Sequence, residues 1–568
     1  MKKKVVYLFL LLILSHISLG REIRNPAERI QEQEMRRRIE KEVGNQLRRE
    51  VEKIEEVEEE EDYDINSGKK FYVSKITLIN SELLSTKEKK EIISKYVNKE
   101  MGMVEIHQLI KDITNAYIKK GYIAARVTIP VDQNLKSEEL SLQIFEGKLE
   151  KVEINDGRIK DKIKEKFNLQ IKEGEVIDLK KIELSENIIN SVPKSTGSYK
   201  LLPGSEIGQT ILKGDFKRKR IGNIDLNYDN LGSEGTGEDN VKLSYTHGDI
   251  LGFSDNLYIQ GSTTTEDDTE RYSRNAFLDY KIPMGFWETG FNYSYSQSKN
   301  TMEGEVNEIL QESETQSIKL KLNKTIFNGS RGRVRLESNF TLKDSDNYIE
   351  KSWVESSSYR SSQYDLGVSY TGILLNGSVY GKLSYTRGLG SLGAHKDKEG
   401  SEAKRQFDRI KFYGRYYKPL GWLNNSLAYE STLDSQYSLD NLYSSDKFYI
   451  GDDTTVRGFK NGVSGENGMF IRQQLYYTLR FKEPRHVLKG LHGLQFFLGA
   501  DYGFADNSIN KGSSKYLSRE ELFSASVGLK RNFNFGSLSV TYSLPIKAPD
   551  YVEKDESGIF YILAGIYI

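Results

Sequence analysis

From residue 216 to the end of the chain, apolar and polar residues alternate with a period of two. Ile224, Leu226 and Tyr228 alternate with Asn223, Asp225, Asn227 and Asp229. Ile318, Leu320 and Leu322 alternate with Ser317, Lys319 and Lys321, and Leu538, Val540, Tyr542 and Leu544 with Ser537, Ser539, Thr541 and Ser543. Successive side chains of an extended strand point to opposite faces, so each run offers one apolar and one wet face. About sixteen such runs fit into Phe216–Ile568, each long enough for the roughly 9–11 residues with which a tilted strand crosses a bilayer. A soluble sandwich alternates too, but a β region of this size divides into separate domains around dry cores. The pattern predicts a mainly β chain whose larger part is a transmembrane antiparallel β-barrel. Tyrosines near strand ends suit interfacial girdles.

Upstream the period changes. Residues 70–148 read β-α-α-β-β: Ile76 and Leu78 share a strand face, Ser85-Thr86-Lys87-Glu88 is a capping box, and Ile106, Leu109, Ile110, Ile113 and Tyr117 form one face of a second helix that Gly121 ends. Tyr122–Pro130 and Leu140–Phe145 are expected strands. A shorter α+β unit spans 149–215. Residues 21–69 are dominated by charge. Asn25-Pro26-Ala27-Glu28 opens a helix running to about residue 54, on which Ile39, Val43, Leu47, Val51 and Ile54 make only a narrow apolar stripe, and Glu55–Asp62 forms an acidic linker. Residues 1–20 are a signal peptide: Lys2-Lys3-Lys4, the apolar core Val5–Leu14, and small residues Ser18 and Gly20 for cleavage.

Composition narrows the function classes. The 568 residues hold 82 Lys+Arg against 82 Asp+Glu, so no basic face recommends nucleic acid as a partner. Zero cysteine excludes disulfides and thiolate metal sites. The six histidines lack metal-ligand spacing, Asp452-Asp453 lacks the spacing of a calcium loop, and there is no phosphate-binding loop. No catalytic residue, metal or cofactor is expected, and no enzyme activity.

One stretch inside the alternating region breaks its pattern: Lys447–Phe470, with Val456-Arg457-Gly458-Phe459 at its centre. This resembles the VRGF tip of the long inward-folded loop of the Omp85 superfamily and its two-partner secretion (TpsB-type) branch. Other segments resemble the same branch. Ala116-Tyr117-x-x-x-Gly121-Tyr122 with Phe145-Glu146-Gly147 is similar to a POTRA domain, and Asn190-x-x-Pro193 with Pro203-Gly204-x-x-x-Gly208 to the second POTRA domain. Asp229-Asn230-Leu231-Gly232 and Gly248-Asp249-x-Leu251-Gly252-x-Ser254-Asp255 are similar to the first barrel hairpin. Phe497–Gly503 resembles the wall strand that holds the loop tip.

The resemblance covers nearly the whole mature chain and implies an outer-membrane pore of about sixteen strands at 216–568, with its inward loop at about 437–468 and two periplasmic POTRA domains. Such a pore secretes an unfolded partner exoprotein of haemolysin or adhesin type. By the same resemblance the N-terminal helix plugs the pore, and Arg457 pairs with Asp501 on a wall strand that includes Gly503. The POTRA region around Tyr117, Gly121, Tyr122, Pro203 and Gly204 is expected to bind the client. Outer-membrane lipid and the barrel-assembly machinery are the other partners. Two departures from the family pattern, Asp452 and Gln474, are expected not to touch the Arg457–Asp501 pair. Two alternatives remain: an Omp85 insertase, disfavoured by only two POTRA-like units, and a passive porin, which needs no periplasmic domains.

Overall fold

The computed structural model describes residues 26–52 and 70–567, apart from short stretches at 132, 134–136, 155–158, 194, 219–221, 267–270, 304–307, 330, 356, 398–402, 422–425, 482–490, 507–518 and 553. The signal peptide, the Asn25 cap, Ile54 and the acidic linker lie outside the described residues.

Sixteen antiparallel strands, from Asn223–Asp229 to Ile559–Tyr567, close into a barrel. Closure is made by the first and last strands, paired from Asp225↔Tyr567 to Asp229↔Leu563. Strand length runs from 7 residues in Asn223–Asp229 to 22 in Glu308–Gly329, so part of the wall extends well past the height a bilayer needs. The alternation read from the sequence sorts the two faces. Leu243, Leu320, Leu383 and Leu498 are each more than half exposed on the outside, whereas Asp279, Asn292, Ser296 and Asp501 are buried against the lumen contents. A closed barrel leaves no strand edge unpaired, which is what makes a sheet tolerable in lipid.

At one end of the barrel sit two α+β units. In the first, Lys75–Ile79 lies parallel to Glu139–Phe145, which pairs antiparallel with Arg126–Thr128. The helices Thr86–Ile93 and Met103–Lys120 cover this sheet and bury Ile92, Leu109, Ile113 and Tyr117. The capping box forms as read: Ser85 accepts from Glu88 N, and Glu88 Oε2 accepts from Ser85 N at 2.8 Å. Two features differ from expectation. The strand expected over Tyr122–Pro130 is only Arg126–Thr128, because Gly121 (φ +102°) and a turn closed by Ala125 N on the Tyr122 carbonyl delay the extended chain. A small ribbon, Phe71–Val73 with Lys99–Met101, had no sequence signal of its own.

In the second unit Gln209–Arg218 is the central strand, parallel to Lys148–Ile154 and antiparallel to Ser195–Pro203. It continues past the expected boundary at residue 215, and the first barrel strand begins at Asn223. The helices Ile159–Asn168 and Leu179–Ser191 complete the unit. The first of these docks on the barrel turn at 249–255. Lys164 Nζ lies 2.9 Å from Asp249 with both side chains buried, Asn168 Nδ2 donates to Ser254 Oγ at 2.9 Å, and Phe167 packs edge-on to Phe253. Asp255 holds the turn itself, accepting from the main-chain N–H groups of Ile250, Leu251 and Phe253.

Candidate functional site

The wall strands Leu427–Ser438 and Asn467–Thr478 are neighbours, paired from Leu427↔Tyr477 to Gln436↔Gly468. The residues between them fold back into the lumen as a hairpin, Phe448–Ile450 against Val463–Gly465. Apolar packing fixes one side of it: Phe448, Ile450, Val456, Phe459, Phe470 and Leu522 form a buried cluster. Val456 and Phe459 of the tip motif are therefore packing residues, and Arg457 and Gly458 between them make the polar contacts.

Arg457 Nε donates to Asp501 Oδ2 at 2.7 Å and Nη2 to Oδ1 at 2.8 Å, while the Arg457 main-chain N–H reaches Oδ2 at 3.2 Å. The two parallel bonds use the planar fork of a guanidinium, which a lysine cannot reproduce. Asp501 stands on the wall strand Gln495–Asp506 and is fully buried. Gly458 takes φ +90°, the left-handed region, and its N–H donates to Tyr561 Oη at 2.8 Å on the last barrel strand. Gly503 leaves room for the tip, since a Cβ there would lie 3.0 Å from both Val456 Cγ2 and Phe470 Cβ. The loop tip thus joins two wall strands by contacts that each demand a particular residue.

Of the two departures, Asp452 keeps clear of the ion pair and Gln474 does not. With its amide oxygen turned toward the guanidinium, Gln474 accepts from Arg457 Nη1 at 2.8 Å and donates to Tyr476 Oη. It uses the edge of the guanidinium that Asp501 leaves free. The expectation that neither departure touches the pair is corrected accordingly.

The helix Pro26–Glu52, about 40 Å long at 1.5 Å per residue, runs through the lumen beside this hairpin. Its charged side chains find partners on the wall. Lys343 lies 2.7 Å from Glu28, Lys242 pairs with Glu34, Arg38 Nη2 lies 2.6 Å from Asp279, and Arg472 pairs with Glu40. Arg38 also stacks over Tyr258 and Phe277 at 4.4 and 4.5 Å. Four contacts among the described residues tie the helix to the loop: Arg37 bidentate on Asp453 at 3.0 and 2.7 Å, Gln33 Nε2 donating to Asp452 Oδ2 at 2.9 Å, Arg36 over Phe448 and Arg29 over Tyr449. Asp452 and Asp453, read from the sequence only as a departure and a failed calcium loop, are the joint between helix and hairpin. Of the expected apolar stripe Val43 and Leu47 are buried, whereas Ile39 is exposed to the lumen.

Residues 208–531 match the family model of the haemolysin secretion/activation proteins ShlB/FhaC/HecB, and residues 71–147 match that of the ShlB-type POTRA domain. The chain belongs to the haemolysin secretion/activation family. Among its relatives are the outer membrane transporter CdiB of Dickeya dadantii (strain 3937), 26% identical over 497 residues covering 87% of this chain and 86% of that one, and the hemolysin transporter protein ShlB of Serratia marcescens, 27% identical over 401 residues, 70% and 69% of the two chains. The solved structure of CdiB from Escherichia coli superposes with a TM-score of 0.86 at 21% identity, over 97% of this chain and all of that one. The protein is an outer-membrane transporter, its POTRA domains in the periplasm and its barrel in the membrane.

Within this family frame, the expected POTRA residues separate into two kinds. Tyr117 is fully buried, its hydroxyl bonded to Ser81 at 2.8 Å and to Glu146 at 3.0 Å, so it has no surface for a client and is corrected to a core residue. Gly121 is the left-handed end of its helix, and its carbonyl accepts from Leu179 N at 2.8 Å across the joint between the two domains. The half-buried ring of Tyr122 packs against Tyr117. Pro203 is exposed at the end of the outer strand Ser195–Pro203, and Gly204 follows it in the turn, where a Cβ would lie 2.5 Å from Glu150 Oε2. Sequence reasoning missed Tyr561, which is buried between the lipid-facing neighbours Phe560 and Ile562. Its alternation gave a signal for an inward tyrosine, with nothing to say what it would meet.

Proposed function

We propose that the barrel is the conduit for an unfolded exoprotein of haemolysin or adhesin type, captured in the periplasm by the POTRA domains and passed through the lumen to the cell surface. The observation that carries this reading is the content of the lumen, which already holds a 27-residue helix together with the hairpin at 448–465. The helix is held chiefly by side-chain charge pairs, which water can replace, and so can give way to another polypeptide. Capture is assigned to sheet edges. Arg126–Thr128 is an outer strand with exposed Ile129 and Val131 beyond it, and Ser195–Pro203 is an outer strand with exposed Leu202 and, past it, Ile207. An extended segment adds to such an edge through main-chain hydrogen bonds, without a defined sequence. The relative named as a hemolysin transporter supports the client class. The reading requires no catalytic step and no cofactor: the Arg457–Asp501 pair positions the loop, and the barrel-assembly machinery inserts the wall.

The helix tests the reading directly. Deleting Asn25–Glu61 is expected to raise ion conductance in planar bilayers several-fold while the barrel stays folded and heat-modifiable. Unchanged conductance would rule the helix out as the occupant that must leave, and export of a co-expressed haemolysin-type exoprotein by a variant lacking 70–218 would remove the POTRA domains from the pathway.

A further inference from the structure

The strand Arg519–Phe533 carries a cation on its lipid-facing side. Ser524 and Ser526 are buried toward the lumen, where Ser526 Oγ lies 2.8 Å from Ser543 Oγ of the next strand. Alternation therefore turns Ala525, Val527, Leu529 and Arg531 outward. The first three suit lipid, and Arg531 does not. Its register partner is the exposed Leu538, and its guanidinium lies over the Phe533 ring at 4.6 Å. Phe533 stacks in turn on Phe535 of the periplasmic turn, their centroids 5.5 Å apart. Two more cations stand near this level: Lys418, outward on the strand Asp408–Pro419, and Arg480, exposed two residues past Thr478. Among the described residues no acidic side chain faces outward along this stretch of the periplasmic rim. The outer rim of the same strands is mixed in sign, with Glu521 lying 3.2 Å from Arg519 and 2.5 Å from Lys547.

Above Arg531 the wall is hollowed. An apolar concavity of about 580 Å³ is lined by Leu475, Phe496, Leu498, Val527 and Leu529. Beyond it the outward residues become small, the register partners Ala500 and Ala525. From Arg531 to Ala525 the strand rises about 20 Å, and a tilt of about 40° makes that about 15 Å of depth. That is one leaflet of a hydrocarbon core roughly 30 Å thick. The hollow thus spans the periplasmic leaflet, which is built of phospholipid, and the cations stand at the depth of its phosphates. We propose that this wall holds one anionic phospholipid, an acyl chain in the hollow and the phosphodiester against Arg531. The guanidinium, steadied on Phe533, offers parallel N–H donors to two phosphate oxygens. Lys418 and Arg480 add to the attraction from the neighbouring strands. A purely aliphatic wall takes any lipid, whereas cations at the interface make headgroup charge the criterion.

Native mass spectrometry of the full-length protein in detergent tests this, with phosphatidylglycerol or phosphatidylcholine of the same chains added. One phosphatidylglycerol is expected to stay on each barrel, in preference to phosphatidylcholine. Arg531→Gln is expected to lower its retention about fivefold, the loss that follows from removing one interfacial cation. Lys324→Gln is the control, since Lys324 is exposed over the Trp287 ring on the opposite wall and its replacement should leave retention unchanged. Val527→Trp, which fills the hollow and keeps every charge, is expected to release the lipid from a barrel that stays heat-modifiable. Equal retention of the two lipids, or equal losses in Arg531→Gln and Lys324→Gln, would overturn the proposal. Unchanged retention in a folded Val527→Trp barrel would also overturn it, as would displacement of the lipid by glycerol 3-phosphate, because either result leaves the hollow without an acyl chain to hold.

Discussion

Arg457 and Asp501 are the clearest case of two residues acting as one. Both side chains are buried, and their opposite charges meet at 2.7 Å. Removing one partner of such a pair costs about 3–5 kcal/mol, since the remaining charge is left in place unpaired. Arg457→Ala and Asp501→Ala are each expected to free the loop tip and lower secretion strongly while barrel insertion persists. The double substitution should be milder than the two singles added together. Secreted client and heat-modifiable barrel measured for all four proteins check this, and strictly additive losses would show that the pair is not a unit. Gln474 qualifies the expectation for Asp501→Ala, because its amide oxygen stays on the guanidinium and keeps part of the polar environment. Gln474→Leu in the Asp501→Ala background is expected to remove that remainder.

Among the elements, helix ends and loop tips were more legible than their partners. The capping box at Ser85, the glycine stop at 121 and the VRGF tip are local signals, written within a few residues. Contacts such as Arg37 with Asp453 join positions more than 400 apart in the chain and have no local trace. That is why the helix was readable as a charged helix from its residues, its place in the pore came only through resemblance, and the role of Asp452-Asp453 was missed altogether. The helix caps also carry a pH prediction. The Glu88 carboxylate is held down to about 2 by its bonds to Ser85 and Lys120, and Glu105 to about 2 by Lys70 and the Gly102 N–H. A carboxylate depressed in the folded state adds stability above its ordinary value near 4.5, and that stability is lost as pH falls toward about 2. A soluble 70–218 fragment is expected to lose thermal stability progressively across that window. Glu88→Gln flattens the dependence, and an unaltered slope in that variant would show that the cap does not hold the charge.

For the whole molecule, the alternation of lipid and lumen residues was readable because a barrel in lipid permits little else. The boundary between the second POTRA domain and the barrel was not, since Gln209–Arg218 alternates much as a barrel strand does and only its pairing assigns it. The docking of Lys164 on Asp249 gives a physical reason for the Gly248-Asp249 segment that the sequence offered only as resemblance.

The lumen is closed by two holds of different chemistry, and dissolved ions will not treat them alike. The helix is held chiefly by partly buried ion pairs in a polar lumen, whereas the hairpin is seated on a buried apolar cluster. Mobile ions weaken the first by screening, over a distance that shrinks from roughly 10 Å at 0.1 M to about 3 Å at 1 M, and leave the second untouched or tightened. Raising KCl should therefore open the pore in one step, by letting the helix go while the hairpin stays. Single-channel records, with conductance corrected for bulk conductivity, are expected to show longer open dwells at 1 M than at 0.1 M. The variant lacking Asn25–Glu61 should show no such change, and a salt response that survives the deletion would place the ion-sensitive latch in the loop instead.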